Sequence, residues 1–122
     1  MAVNPELVDT DFPSVSPYLV GREKIREFAA ATWAIDPQHH DVEVARLRGF
    51  SDLVASPTFP IVIQEKTLQQ LLEHPGAGID FSRVVHGDQQ FTYSRPIVAG
   101  DELIATLSVT KVQSLGGHSM LT

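Results

Sequence analysis

The stretch "ASPTFPIVIQEKTLQQLLEHPG", residues 55–76, most constrains what this chain can fold into. Ser56 or Thr58 can cap a helix here, and Pro57 or Pro60 can occupy its first turn, where a missing N–H costs little. Ile61, Leu68 and Leu72 fall on one face, Leu71 broadens it, and His74-Pro75-Gly76 is a stop. The first half (Phe59, Ile61, Val62, Ile63) is apolar nearly all round. A helix of that kind is buried rather than laid on a surface. The rest of the chain must supply its cover.

The C-terminal part has the texture of that cover. "ELIATLSVTKV" alternates, with Leu103, Ala105, Leu107 and Val109 on one face and Thr106, Ser108 and Thr110 on the other, a solvated or interfacial sheet face. "FSRVVHGDQQFTYS" predicts a second extended run with Val85, Gln89, Phe91 and Tyr93 on one side, and "RPIVAGD" a turn. Gly116-Gly117 turns the chain into a last short strand. Ahead of the long helix, Tyr18, Leu19 and Val20 read as a short strand broken by Gly21. From Arg22, the spacing of Ile25, Phe28, Ala29 and Thr32 predicts an amphipathic helix, with Glu23 suited to its N-terminal dipole and Pro37 ending it. "DVEVARLRGF" predicts one short helix with Val44 and Leu47 inward and Gly49 as its stop. Residues 1–17, with Pro5, Pro13 and Pro17, predict an extended arm with little to pack. The order gives an α+β fold, one domain over residues 18–122, with the long helix lying across a curved antiparallel sheet. The strands are too few to cover that helix, so the sheet is expected to lack its last strand or strands in this chain.

Composition narrows the function. The chain has 122 residues and a net charge of −6, and its nine basic residues are scattered, which argues against nucleic acid as a ligand. There is no cysteine, so a disulfide framework, a thiolate nucleophile and a Cys-ligated metal are excluded. No segment approaches the ~20 apolar residues of a membrane-spanning helix. The N-terminus is acidic and proline-broken, unlike a signal or transit peptide, so the expected compartment is the cytoplasm.

The segment "AIDPQHHD", residues 34–41, carries the densest chemistry. His39-His40 could be a metal pair, but adjacent side chains in a loop seldom converge on one ion and no third ligand is suitably spaced, so no metal is expected. His40 is read as solvated or capping a backbone carbonyl. His86, in "VVHGDQ", could be a catalytic histidine, but a structural role bonding loop or strand backbone is favoured, with Gly87 beside it marking a bulge or a close backbone approach. A Ser56, His39, Asp36 triad can be drawn, but no nucleophile-elbow motif supports it.

"YLVGREKIREFAAA", "GFSDLVASPTF" and "VVHGDQQFTYSRPIVAGDEL", in that order, resemble the hot-dog fold dehydratases of the MaoC type. More narrowly they are similar to the fatty-acid-synthase-I-like N-terminal dehydratase domain, including the small mycobacterial (3R)-hydroxyacyl-ACP dehydratase subunits and UPF0336-type relatives. The resemblance covers roughly residues 18–122, and the family normally runs on through at least one more long strand. It implies action on acyl thioesters of coenzyme A or acyl carrier protein, hydrating a trans-2-enoyl chain or dehydrating a 3-hydroxyacyl chain, with no cofactor. It also implies dimers joined through their sheets, in some of which one subunit does the chemistry and the other supplies a groove for the acyl chain.

Active members share a loop Gly-Asp-x-Asn-Pro-x-His and a later turn whose glycine N–H binds the thioester oxygen. On that pattern Trp33 stands for the glycine, Ala34 for the catalytic Asp and Asp36 for the Asn, while Pro37 matches and His39 falls on the catalytic His. Ser56-Pro57-Thr58 stands for His-Gly-Met, which puts Pro57 at the oxyanion glycine. Alanine has no proton to exchange and proline no N–H to donate. The resemblance therefore implies a non-catalytic partner subunit, homodimeric or paired with an intact hot-dog subunit, in which Pro57, Thr58, Phe59, Ile63 and His86 line the acyl site. The alternatives are a self-sufficient hydratase using His39 with Asp36 or Asp41, and an acyl-thioester-binding or scaffolding module without dehydratase activity.

Overall fold

The computed structural model describes residues 3–122. Three helices, α1 (Arg22–Ala31), α2 (Val42–Leu47) and α3 (Ile61–Glu73), are accompanied by strands β1 (Tyr18–Leu19), β2 (Glu102–Leu103), β3 (Val112–Leu115) and β4 (His118–Leu121). The chain divides into two units interleaved in sequence. The first comprises Pro17–Val62 and Gln89–Ile104, and the second the residues up to Ser16, Ile63–Asp88 and Ala105–Thr122.

In the first unit β1 pairs antiparallel with β2, Tyr18 opposite Leu103 and Leu19 opposite Glu102. The pairing is extended by the Val54–Val98 bridge and by Ala55 N–H to Ile97 O and Ala99 N–H to Leu53 O. The core beside it is Val20, Ile25, Leu53, Ala55 and Phe59, with Phe28 packed edge-on to Phe59 at a centroid distance of 5.6 Å. α1 buries Ile25 and Ala29, as its spacing predicts. It ends six residues before Pro37, for a local reason. Trp33 N–H bonds to Ala30 O and Ala34 N–H to Ala29 O, a Schellman closure with Trp33 in the left-handed region at φ 61°. α2 closes the same way, through Gly49 N–H to Arg46 O and Phe50 N–H to Ala45 O, but there the left-handed residue is glycine, at φ 93°.

The contrast yields a prediction. Trp33 is 88% exposed, so its side chain returns little packing for a backbone conformation that costs a non-glycine residue ~1–2 kcal/mol. Trp33→Gly is expected to stabilise the protein by about 0.5–1 kcal/mol after the extra unfolded-state entropy of glycine is subtracted. A urea midpoint that falls instead would mean the indole has a packing role.

α2 departs from expectation on one residue. Ala45 is fully buried with Val42 beside it on the core side, while Leu47 is 86% exposed. Asp41 caps the helix by accepting from Glu43 N–H and Val44 N–H, which fixes its rotation. Leu47 lies two residues beyond Ala45, on roughly the opposite face at about 100° per residue.

α3 buries Ile63, Thr67 and Leu71 rather than the Ile61, Leu68, Leu72 stripe. An all-apolar first half offers both faces, and Thr67 can join the buried one because its hydroxyl bonds to Gln64 O at 2.7 Å. The helix begins at Ile61, whose N–H bonds to Thr58 O; Ser56 Oγ is buried without a hydrogen-bond partner and caps nothing.

The second unit shows that the N-terminal prolines do not leave the arm unpacked. Pro5–Asp9 is a 3-10 turn with Pro5 in its first position and Asn4 accepting from Glu6 N–H. It sends Leu7 into a cluster with Val3, Phe12, Leu71, Ala77 and Val109. Proline is barred from helix interiors, not from the start of a turn. In the same unit β3 and β4 form a hairpin, Val112 opposite Leu121 and Leu115 opposite His118, turned by Gly116 and Gly117 at φ 55° and 87°.

Residues 101–110 alternate in burial as the sequence predicts, yet only Glu102–Leu103 forms ladder pairs there. Residues 84–96 lie in no ladder and are exposed apart from half-buried Phe91. Alternation marks a face but does not supply the strand that would pair with it.

Two carboxylates tie the first unit together. Asp101 accepts a bidentate Arg95 pair, both bonds 2.9 Å, and Val98 N–H; Asp52 accepts from Arg22 and Leu53 N–H. Both are held below the usual carboxylate range, chiefly by the hydrogen bonds from Arg95 and Arg22 respectively. On acidification the unfolded chain therefore takes up these protons first. Stability from both groups is present above pH ~4 and is lost as pH falls through their folded values. Urea midpoints are expected to fall between about pH 5 and pH 3, and less so in Asp101→Asn. An equal acid dependence in that variant would remove Asp101 from the account.

Candidate functional site

A cavity of about 430 Å³ in the first unit is walled by the His39 turn, the Val54–Pro57 segment and residues 93–97. His39 reaches it through a chain of local causes. Asp36 accepts from Gln38 N–H and starts the 3-10 turn Pro37–His39, and Val54 N–H bonds to Gln38 O at 3.0 Å. His39 is 6% exposed, and its Nδ1 lies 2.6 Å from Val54 O. A carbonyl only accepts, so the neutral ring carries its proton on Nδ1 and leaves Nε2 as a lone-pair acceptor.

His40 does different work. Its Nε2–H donates to Ala34 O at 2.8 Å, and its own carbonyl accepts from Arg26. The two imidazoles are thus bonded to separate carbonyls. Among the described residues no group of three or more His, Cys, Asp or Glu is placed to hold a metal.

The carboxylates near His39 in sequence serve the fold. Asp36 pairs with Arg48 as well as Gln38 N–H, and these bonds, the backbone one foremost, hold its carboxyl below the usual range. Asp41 caps α2. Neither lines the cavity. Of the other residues expected at the site, Pro57 is on the cavity wall. Thr58 is exposed in the turn before α3, and Phe59 is buried in the first unit's core. Ile63 and His86 belong to the second unit, Ile63 buried and His86 exposed.

Tyr93 is the wall residue that the sequence did not single out. Its hydroxyl donates to the Pro57 carbonyl, and burial raises its pKa, keeping it a phenol. Alternation could place Tyr93 on a strand face but gave no hint that the face meets Pro57. The cavity thus offers an imidazole lone pair, a phenol, the polar side chains of Gln38, Ser94 and Arg95, and apolar walls from Phe50, Val54 and Ile97. It has no carboxylate, and residue 57 has no N–H.

The sequence profile described as "FAS1-like, dehydratase domain region" matches residues 7–122. The chain belongs to the FAS1-like dehydratase family. Among its relatives, a UPF0336 protein of Leifsonia xyli subsp. xyli is 65% identical over 120 residues, 98% of this chain and 80% of that protein. Among solved structures, it is similar to the C-terminally truncated HadBC (3R-hydroxyacyl-ACP dehydratase) complex from Mycobacterium tuberculosis. That match has 31% identity and a TM-score of 0.79, over 91% of this chain and 76% of the matched one. A MaoC-like dehydratase matches at 31% identity and a TM-score of 0.72, over 92% of this chain and 33% of its own. The FAS1-like dehydratase chain accordingly has the α+β hot-dog fold. Among its described residues no helix is long and apolar enough to cross a membrane.

Proposed function

We propose that this chain is the acyl-thioester-binding, non-catalytic half of an (R)-3-hydroxyacyl-thioester dehydratase, paired with a hot-dog subunit that retains the acid–base pair and the oxyanion donor. The observation that carries the reading is the makeup of the His39 cavity. His39 is present, but Ala34 and Pro57 occupy the positions of the family's Asp and glycine, and Asp36 and Asp41 are engaged in capping. Likeness to a chain of the HadBC complex supports a partnered arrangement. The acyl chain, carried on coenzyme A or acyl carrier protein, enters the cavity, and the work is cytoplasmic.

A second reading, a self-sufficient hydratase, draws on one observation: His39 Nε2 is a lone-pair base beside the cavity. Co-expression with an intact hot-dog subunit and native mass spectrometry tests the first. A mixed dimer is expected, and a melting-temperature rise with acyl-CoA worth about 2.7 kcal/mol at a hundredfold excess over Kd. Homodimers alone under co-expression, with no thermal shift, would sink it.

A further inference from the structure

One short segment walls two cavities. Residues 93–97 line the His39 cavity, and they also line a second cavity of about 270 Å³ in the same unit. Asp101 and Leu103 line only the second, and Pro57 only the first. Tyr93 belongs to both linings, and its hydroxyl donates to Pro57 O. The ring therefore reaches from residues 93–97 to the Val54–Pro57 wall, at the boundary the two cavities share. Two contacts hold it there: the bond to Pro57 O, and a stacked contact with half-buried Phe91, centroids 6.4 Å apart at 25°.

An acyl chain gains affinity by burying methylenes, up to about fourfold for each one. In the His39 cavity Phe50, Val54 and Ile97 supply that burial. It ends at the Tyr93 ring, because forcing a methylene into a packed side chain costs more than its burial returns. Beyond the ring lie Ile97 and Leu103, with the Arg95–Asp101 pair satisfied by its own hydrogen bonds. The second cavity is thus able to accept further methylenes, and the ring keeps them out. The polar side chains of Gln38, His39, Ser94 and Arg95 act on every member of a saturated series and do not alter where the gain stops.

We propose that Tyr93 sets the upper limit of acyl length at this site, as a divider between the two cavities. Chains that end before its ring gain affinity with every methylene, and longer ones gain nothing more. This rests on the acyl-thioester reading above. Replacing the ring with a small side chain joins the two cavities and moves the limit outward.

The test is calorimetric titration of the purified protein with saturated acyl-CoAs from butanoyl to tetradecanoyl, in two-carbon steps. Affinity is expected to rise with length to a break inside the series and to stay level after it. In Tyr93→Ala the break should move to longer chains by at least one step. The longest chains should then gain about tenfold relative to the shortest, the worth of roughly two more buried methylenes. Tyr93→Leu, which keeps more of the packing, should move the break the same way by less, and it serves where the alanine variant folds poorly. A purely structural role for Tyr93 would lower affinity for all lengths together and leave the break in place.

Affinity that climbs without a break through tetradecanoyl-CoA overturns the proposal and leaves acyl binding standing. So does a break that stays put in both variants. Failure of every acyl-CoA to bind the unaltered protein sinks the acyl-thioester reading, and this inference with it.

Discussion

Phe59→Ala is expected to cost about 3–5 kcal/mol, a large part of the ~5–15 kcal/mol that holds a domain of this size together. The residue is fully buried, at 0% exposure, and is the largest of the fully buried side chains. It sits among Val20, Ile25, Leu53 and Ala55. Truncation removes the transfer energy of a whole ring and leaves a cavity that neighbours on β1, α1 and the Leu53 segment can only partly fill. It also breaks the edge-on pair with Phe28, worth roughly 0.5–1.5 kcal/mol beyond burial. Urea denaturation should show the midpoint collapsing, with much of the variant unfolded at 25 °C. Phe59→Leu, which keeps most of the volume, should cost clearly less.

The same pair of variants separates two roles for Phe59. A groove wall would touch the acyl chain, whereas the structure buries the ring in the core and lines the cavity with other residues. Phe59→Leu is therefore expected to bind acyl-CoA within about threefold of the unaltered protein while losing stability, since a side chain that makes no ligand contact forfeits no burial on binding. A tenfold loss of affinity at unchanged stability would make it a wall residue after all.

What could be read from the residues was set by how local the cause was. Helices α1, α2 and α3 were legible because their periods, the capping Asp41 and the Gly49 stop act within a few residues. The true end of α1 was missed because a left-handed tryptophan is a rare choice for the closing position, and Pro37 looked like the stronger signal. The buried face of α3 was ambiguous in principle: an apolar first half fits two stripes, and only the hydroxyl bond of Thr67 shows which one is buried. Strands were the least legible, because alternation over residues 101–110 is satisfied with or without a ladder partner.

The site divided the same way. His39 could be placed from its position in a loop pattern, and what the resemblance implies for Ala34 and Pro57 follows from residue identity alone. Tyr93 could not, since it meets Pro57 across 36 positions of chain through a single hydroxyl. Asp36 looked like chemistry by its neighbours in sequence, yet its hydrogen bonds go to Gln38 and Arg48.

Hydration of a short trans-2-enoyl-CoA by the purified chain alone is expected to run roughly 10⁴–10⁷-fold slower than by its complex with an intact hot-dog subunit. An acid–base pair is worth roughly 10²–10⁴ in rate and an oxyanion donor ~10²–10³, and on the proposed reading Ala34 breaks the pair and Pro57 removes the donor. Loss of the enoyl thioester absorbance follows both reactions. In the complex, His39→Ala should raise KM and leave kcat nearly unchanged, because His39 then contacts substrate in the ground and transition states alike. If His39 is instead the base of a working site, kcat falls by at least about a hundredfold, and turnover by the isolated chain disappears with it. The split between kcat and KM therefore reports which of the two cavities in the pair does the chemistry, and a rate from the isolated chain that rivals the complex would return the acid–base role to His39.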